Sequence, residues 1–344
     1  MEKAKPARSR ASAWDEDEAP VRRRSISFEE CLARLLTEEA SATSQDLPSS
    51  GPQGIVVAAA RGRCEVSCQG KVLDCLLPPE LLKAQQTELA VGDEVLVETR
   101  GSVHRIARVL PRRTRLSRPD PGSAVERVVV ANVDLVVVVV SVGSPPLHPR
   151  LIDRYLIAIG RGGANAAICV NKLDLLGDAQ ERERELAKLA PYRELAPIVH
   201  CSAARADGLD ELRGVLRGKT CAFVGHSGVG KSSLLNALKP DLSLNTGGVS
   251  EGYGRGTHTT TSSHLWEIEP GTLVIDTPGV RSFGLWRLSP EELPWYFPEF
   301  QSIRCRFRDC SHRVEPGCGV KDAIEKGEVA AERYETYLRI LETL

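Results

Sequence analysis

Eight consecutive residues, Gly225-His226-Ser227-Gly228-Val229-Gly230-Lys231-Ser232, match the pattern G-x-x-x-x-G-K-S. Residues of these types at this spacing bind phosphate. Glycines let successive backbone amides turn inward onto phosphate oxygens, and a helix opening at the same point adds the positive end of its dipole. In this reading Lys231 reaches the β- and γ-phosphates, Ser232 places its hydroxyl on Mg²⁺, and Ser233 follows them into the nucleotide site. The pattern carries weight only between a buried strand and a helix. Residues 220–224 form a short apolar, partly β-branched run, and residues 233–238 are helix formers, so the flanks predict strand, glycine turn and helix.

A second group of residues suits the reading of a base. Asn171-Lys172-Leu173-Asp174 ends one apolar run, and Cys201-Ser202-Ala203 follows the next. A carboxylate at Asp174 can accept hydrogen bonds from both N1 and the exocyclic N2 of guanine, a donor pair that adenine lacks. Asn171 and the backbone of Ser202 and Ala203 would hold the ring edge and O6. These are the base-reading parts of a GTPase. Further on, residues 245–263 are rich in glycine and threonine, which predicts a mobile loop, and Thr260 within it can complete the Mg²⁺ shell when a γ-phosphate is present. The strand expected at 271–275 ends in Asp276-Thr277-Pro278-Gly279, where Asp276 would hold Mg²⁺ through water and the Gly279 amide would face the γ-phosphate.

The order of these motifs is reversed from that of ordinary GTPases, because Asn171 precedes Gly225. A sheet tolerates such rewiring when the old termini lie close and the new ones fall in surface loops. A circularly permuted GTPase domain is therefore expected over residues 123–285, an α/β unit whose continuous Val and Ile runs suit a parallel sheet covered on both faces. The strand and loop after Asp276 would then lead directly into the C-terminal module. Many GTPases place a water-orienting glutamine after Asp-x-x-Gly; here the residue is Val280. Catalysis must use another group, and His258 in the mobile loop is the candidate, although it could instead contact RNA or cap the loop.

The elements around this domain also follow from pattern. Residues 1–50 combine Asp15-Glu16-Asp17-Glu18 with Arg22-Arg23-Arg24 and many Ser, Ala and Pro, so a disordered arm is expected, with one short helix near 27–39. The arginine triplet reads as a solvated tail or as an RNA contact. Residues 51–117 hold five short β runs, which predict a small closed barrel of the OB type. Cys64, Cys68 and Cys75 belong to its packing. Arg105, Arg108, Arg112, Arg113, Arg115 and Arg118 form a basic run leaving it, either a phosphate-backbone contact or a solvated linker. Pro119-Asp120-Pro121-Gly122 marks a boundary. In residues 286–344, Cys305, Cys310, His312 and Cys318 offer three thiols and an imidazole with little core around them, which predicts a structural zinc site on a basic loop. Residues 322–344 read as one helix, packed by Trp295, Tyr296, Phe297 and Phe300.

The chain is 344 residues long with a net charge of −1, so no global field points to nucleic acid and any RNA contact must be local. Its longest apolar run, 135–142, is far too short to span a bilayer, and the ten cysteines suit reduced thiols plus a metal site. A cytoplasmic protein is expected.

Taken together, these features resemble the RsgA (YjeQ) family of small ribosomal subunit biogenesis GTPases over about residues 54–344. The resemblance rests on residues 228–234, on His258-Thr259-Thr260-Thr261, on residues 276–284, and on Cys305 to Cys318 with Glu315-Pro316-Gly317. It implies a slow GTPase stimulated by the small (30S) ribosomal subunit, contact with 16S rRNA, a late role in maturation, one Zn²⁺ per chain, Mg²⁺ with GTP, and a monomer. Two positions depart from the family pattern: Thr257 replaces a frequent basic residue and His226 a frequent glutamine. The competing expectations are an RNA-binding module with a vestigial nucleotide site, which intact Lys231, Ser232, Asp276 and Asp174 oppose, and an ATP-using enzyme, which Asp174 opposes.

Overall fold

The computed structural model describes residues 51–60, 62–78, 81, 89–119, 126–242, 244, 263–277, 285 and 288–344. The N-terminal arm, the loop with His258 and Thr260, and Gly279 with Val280 lie outside the described residues.

Five strands come first: β1 (Gln53–Ala60), β2 (Arg63–Cys68), β3 (Lys71–Leu76), β4 (Glu94–Arg100) and β5 (Val103–Val109). β1 pairs with both β2 and β4, and β3 runs parallel to β5, so the strands close in the order β1-β2-β3-β5-β4-β1. This is the OB-type barrel the alternating pattern predicts. Its inward positions carry Val56, Val66, Val95, Val97 and Ile106, with Cys64, Cys68 and Cys75 among them. Burial pushes the Cys64 thiol up to about 12 and the Cys75 thiol to about 11, as expected of inert packing residues.

The basic run beyond the barrel is not a free positive surface. Arg112 is buried and donates twice to Asp93, at 2.7 and 2.9 Å, while Arg105 pairs with Glu98 and Arg113 with Asp134. The expectation of a phosphate or solvent contact is corrected for Arg112, whose guanidinium needs a buried carboxylate once water is excluded. Of the expected boundary at Pro119–Gly122, Pro119 ends β6 (Arg115–Pro119), which pairs antiparallel with β7 (Glu126–Ala131), while 120–122 lie outside the described residues; Leu116 belongs to the same core as Val130, Val138 and Tyr155.

The central sheet is built from β8 (Leu135–Ser141), β9 (Asn165–Asn171), β10 (Ile198–His200), β11 (Thr220–Val224), β12 (His264–Glu269) and β13 (Thr272–Asp276). Its order is β10-β9-β8-β11-β13-β12, with only β12 antiparallel. All seven residues of β8 are buried, because helices cover both faces. The apolar stretch at 151–160 is helical: α1 (Pro149–Arg161) starts with Pro149, whose fixed φ suits a first turn. One side of α1 puts Ile152, Tyr155 and Ile159 on the sheet, and the opposite side gives Ile157 to the C-terminal core. α2 (Ala179–Ala187), α3 (Leu209–Leu216) and α4 (Lys231–Leu238) complete the layers. The barrel is joined to this sheet edge to edge, because Ala58 of β1 pairs with His264 of β12.

The C-terminal module contains the short α5 (Pro298–Gln301), then α6 (Gly319–Glu325) and α7 (Ala331–Leu341). The single helix expected over 322–344 is two, interrupted at Gly327, whose φ of +75° ends α6 in the left-handed conformation that glycine tolerates. Phe297 and Phe300 are buried against Tyr337, at centroid distances of 5.3 Å each, so these aromatics pack the module. Arg333 of α7 reaches across to Asp153 of α1 at 2.6 Å and to Glu299, fixing the module on the sheet's outer helix layer. Among the described residues no helix is long and apolar enough to cross a membrane.

Candidate nucleotide and metal sites

β11 lies between β8 and β13 in the parallel sheet, and its buried run delivers Gly225 to the C-terminal edge, where ligands of open α/β sheets bind. Gly225 has a φ of +146°, and a Cβ there would lie 2.2 Å from the carbonyl oxygen of Val139. Gly230 has a φ of +93°, with a Cβ position 2.3 Å from Nδ2 of Asn171. No other residue type fits either place. α4 opens at Lys231, as the flanking sequence predicts, with Ser232 and Ser233 half-buried in its first turn. The Lys231 ammonium folds back over the loop and donates to the carbonyls of Gly225 at 2.7 Å and His226 at 3.1 Å, while Ser227 and Gly228 stay exposed.

Asp276 ends β13 beside this loop, in register with Phe223 of β11. Burial lowers the affinity of Lys231 for its proton and the nearby Asp276 opposes that; burial raises the Asp276 carboxyl and Lys231 opposes it. Each charge is thus desolvated and only partly compensated. A phosphate beside Lys231 and a cation beside Asp276 would supply what is missing. Ser232 and Asp276 are the described groups fit to hold Mg²⁺, which would shield phosphate charge; Thr260 and Gly279 lie outside the described residues.

The residues expected to read a base converge across the reversed chain order. Asn171 is buried; its amide nitrogen donates to the carbonyl of Val229 at 2.9 Å, and its oxygen accepts from the backbone of Ala203 at 3.0 Å. Ser202 donates its hydroxyl to Asp174 at 2.5 Å, which fixes the orientation of the carboxylate. Lys172 sits at a φ of +66° and donates to the Ser144 carbonyl at 2.5 Å. Two supports went unnoticed in the sequence. Ser144-Pro145 approaches the phosphate loop at Gly228, and Thr277 donates to Phe223 at 2.7 Å, tying the end of β13 to β11. The first could have been suspected from the Ser144-Pro145-Pro146 turn at the end of an apolar strand; the second lay inside a motif already noted.

In the C-terminal module, the ligand atoms of Cys305, Cys310, His312 and Cys318 all lie within 4.8 Å of one another. Nδ1 of His312 is 3.5 Å from the sulfurs of Cys305 and Cys318, which are 4.0 Å apart. Tetrahedral Zn–S and Zn–N bonds of about 2.3 and 2.0 Å imply ligand separations of roughly 3.5–3.8 Å, so the set fits a closed four-coordinate metal. The four bring together residues from the start and end of one tight loop. Exposed Arg304, Arg306 and Arg313 surround it.

A glycine-rich loop between a buried strand and a helix, with Asn171, Asp174 and Asp276 brought beside it on a sheet whose motif order is permuted, is the arrangement expected of a circularly permuted GTPase. Residues 109–286 match the family model described as RsgA GTPase. The small ribosomal subunit biogenesis GTPase RsgA of Actinobacillus pleuropneumoniae serotype 5b is 40% identical over 298 residues, 85% of each chain, and that of Pseudomonas fluorescens is 38% identical over 327 residues, 92% of this chain and 93% of its own. Among solved structures, YjeQ from Thermotoga maritima aligns with a TM-score of 0.70 at 35% identity, covering 85% of this chain and 98% of its own. YloQ, a circularly permuted GTPase, aligns with a TM-score of 0.65 at 28% identity, covering 86% and 95%. The chain belongs to the RsgA GTPase family, and it is a GTPase.

Proposed function

We propose that this GTPase serves in biogenesis of the small ribosomal subunit, binding the 30S particle and its 16S rRNA in the cytoplasm as a monomer and hydrolysing GTP when the particle stimulates it. The relatives' shared name supports the role. The observation that carries it here is the His264 rung: its backbone pairs with Ala58 of the barrel and with Asp276 of the nucleotide site. One strand thus connects the γ-phosphate end of the site to a module suited to RNA or ribosomal surfaces.

In this mechanism Asp174 and Asn171 select guanine, the phosphate loop and Lys231 hold the phosphates, and Ser232, Thr260 and Asp276 attend Mg²⁺. Gly279 meets the γ-phosphate. Val280 has no group to orient water, so His258 takes that role when the subunit stimulates hydrolysis. Zn²⁺ is the metal of the Cys305, Cys310, His312 and Cys318 site, because three soft thiolates with an imidazole favour it and leave no open position for catalysis.

Single-turnover GTP hydrolysis with and without purified small subunits tests the reading. Stimulation by small but not large subunits is expected. Equal rates in the presence and absence of particles would remove the ribosomal role.

A further inference from the structure

We propose that Glu315 is a positioning residue for the metal centre: its carboxylate fixes the turn that carries His312, so that the imidazole stands in ligating geometry. The proposal rests on reading the four ligands as a zinc site.

Both carboxylate oxygens are fully employed. Oε1 accepts from the backbone and hydroxyl of Ser311 at 2.8 and 2.6 Å, and Oε2 accepts from the backbones of Arg313 and Val314 at 3.0 and 3.1 Å. These donors flank His312, which has a φ of +59°, a left-handed conformation uncommon for a residue with a Cβ. The opposite side of the turn is held as well. Tyr337 donates to the Ser311 carbonyl at 2.8 Å and Tyr334 to the His312 carbonyl at 2.6 Å, both from α7. Phe300 packs edge-on to the imidazole at 5.4 Å. The turn therefore has its amides on Glu315 and its carbonyls on two tyrosines, and Nδ1 of His312 is left directed at the cysteine sulfurs.

A carboxylate is required by count. Four donors meet two oxygens, whereas an amide of the same shape would turn its own N–H groups against two of them. Glu315 is three residues from each of its neighbouring ligands in the chain and binds no metal itself, so its effect on affinity must come through the geometry of His312. Loss of such outer partners typically weakens metal binding about 10–100-fold.

The experiment measures Zn²⁺ affinity of the full chain by competition with a chromophoric chelator for wild type, Glu315→Gln and Ser311→Ala. Co²⁺ absorption at saturation is recorded for each. Glu315→Gln should bind about 10–100-fold more weakly while giving the wild-type Co²⁺ spectrum, because all four ligands remain. Ser311→Ala deletes one of the four donors and should fall between, which keeps the test usable if the Gln variant folds poorly. Unchanged affinity in both variants overturns the proposal, as does a lower melting temperature of the metal-free chain with unchanged affinity, which marks a merely structural role. A wild-type chain that takes up neither ion overturns the zinc reading itself, a separate result from failure of the variants.

Discussion

The side-chain amide of Asn171 donates to the main-chain carbonyl of Val229 at 2.9 Å, so the loop after β9 and the glycine-rich loop after β11 share a buried hydrogen bond although 58 residues separate them. The same side chain accepts from Ala203, and one residue therefore locks three loops. Asn171→Ala should leave a buried carbonyl and an amide without partners, each costing roughly 1–3 kcal/mol. The expected outcome is weaker GDP binding together with a lower unfolding midpoint, read by nucleotide titration and denaturant melts. Unchanged GDP affinity would show that the lock does not shape the site.

Asp174 is held by Ser202 at its surface loop and carries no part of the core. Asp174→Ala should abolish preference for GTP over ATP with little change in unfolding midpoint. Ser202→Ala should weaken that preference less, since the carboxylate survives but loses its orienting hydroxyl. Competition between the two nucleotides measures both; an original selectivity ratio in Asp174→Ala would refute the base-reading assignment.

Lys231 and His258 should fail differently. Lys231 meets phosphate charge in the ground state as well as the transition state, so Lys231→Ala should weaken nucleotide binding itself. His258→Ala should bind GTP and the small subunit normally yet lose about 10²–10⁴-fold of stimulated hydrolysis, the span for a positioned acid–base or water-orienting group. Single-turnover rates at saturating subunit decide, and a full stimulated rate in His258→Ala would leave water activation to the particle or to the γ-phosphate.

Burial at the joint between barrel and sheet holds the His264 imidazole below its ordinary value of 6.5, against an opposing pull from Glu65. The folded chain then binds fewer protons than the unfolded chain in mild acid. Stability tied to the neutral ring is whole above 6.5 and is lost as pH falls through the lower folded value. Denaturant melts between about pH 7.5 and pH 5 should show wild type losing more stability than His264→Gln. Equal slopes would mean that the ring is not constrained at the joint.

Cys310→Ala removes one of the ligands gathered within 4.8 Å. It should release the metal and loosen the C-terminal module, because the site closes a local loop, while GDP affinity stays near wild type. Elemental analysis and nucleotide titration on the same sample check this; retention of a full equivalent of zinc would exclude Cys310 as a ligand.

Much of this molecule was legible in the chain because its chemistry is local. Gly225 to Ser232 are contiguous, so their strand, glycine turn and helix could be read from the flanks, and the barrel's alternation of apolar and polar residues follows from a strand's period of two. Cys305 to Cys318 lie close enough in sequence for their spacing to predict a cluster that could hold a metal, and the fold brings their ligand atoms within 4.8 Å of one another. What the chain could not show is which distant partner satisfies a given group. Arg112 looks like any other arginine of a basic run until Asp93 is found beside it in a buried place. Gly327 divides a helical pattern only because its backbone turns left-handed. The His264 rung depends on two sheets meeting edge to edge, and backbone pairing carries no side-chain signature. Glu315 stands out in the chain only as part of a family pattern, and only the folded turn gathers four donors on its two oxygens. Motifs are fixed by the short reach of their own residues; partners separated along the chain are fixed by packing, where desolvation decides which charges must meet.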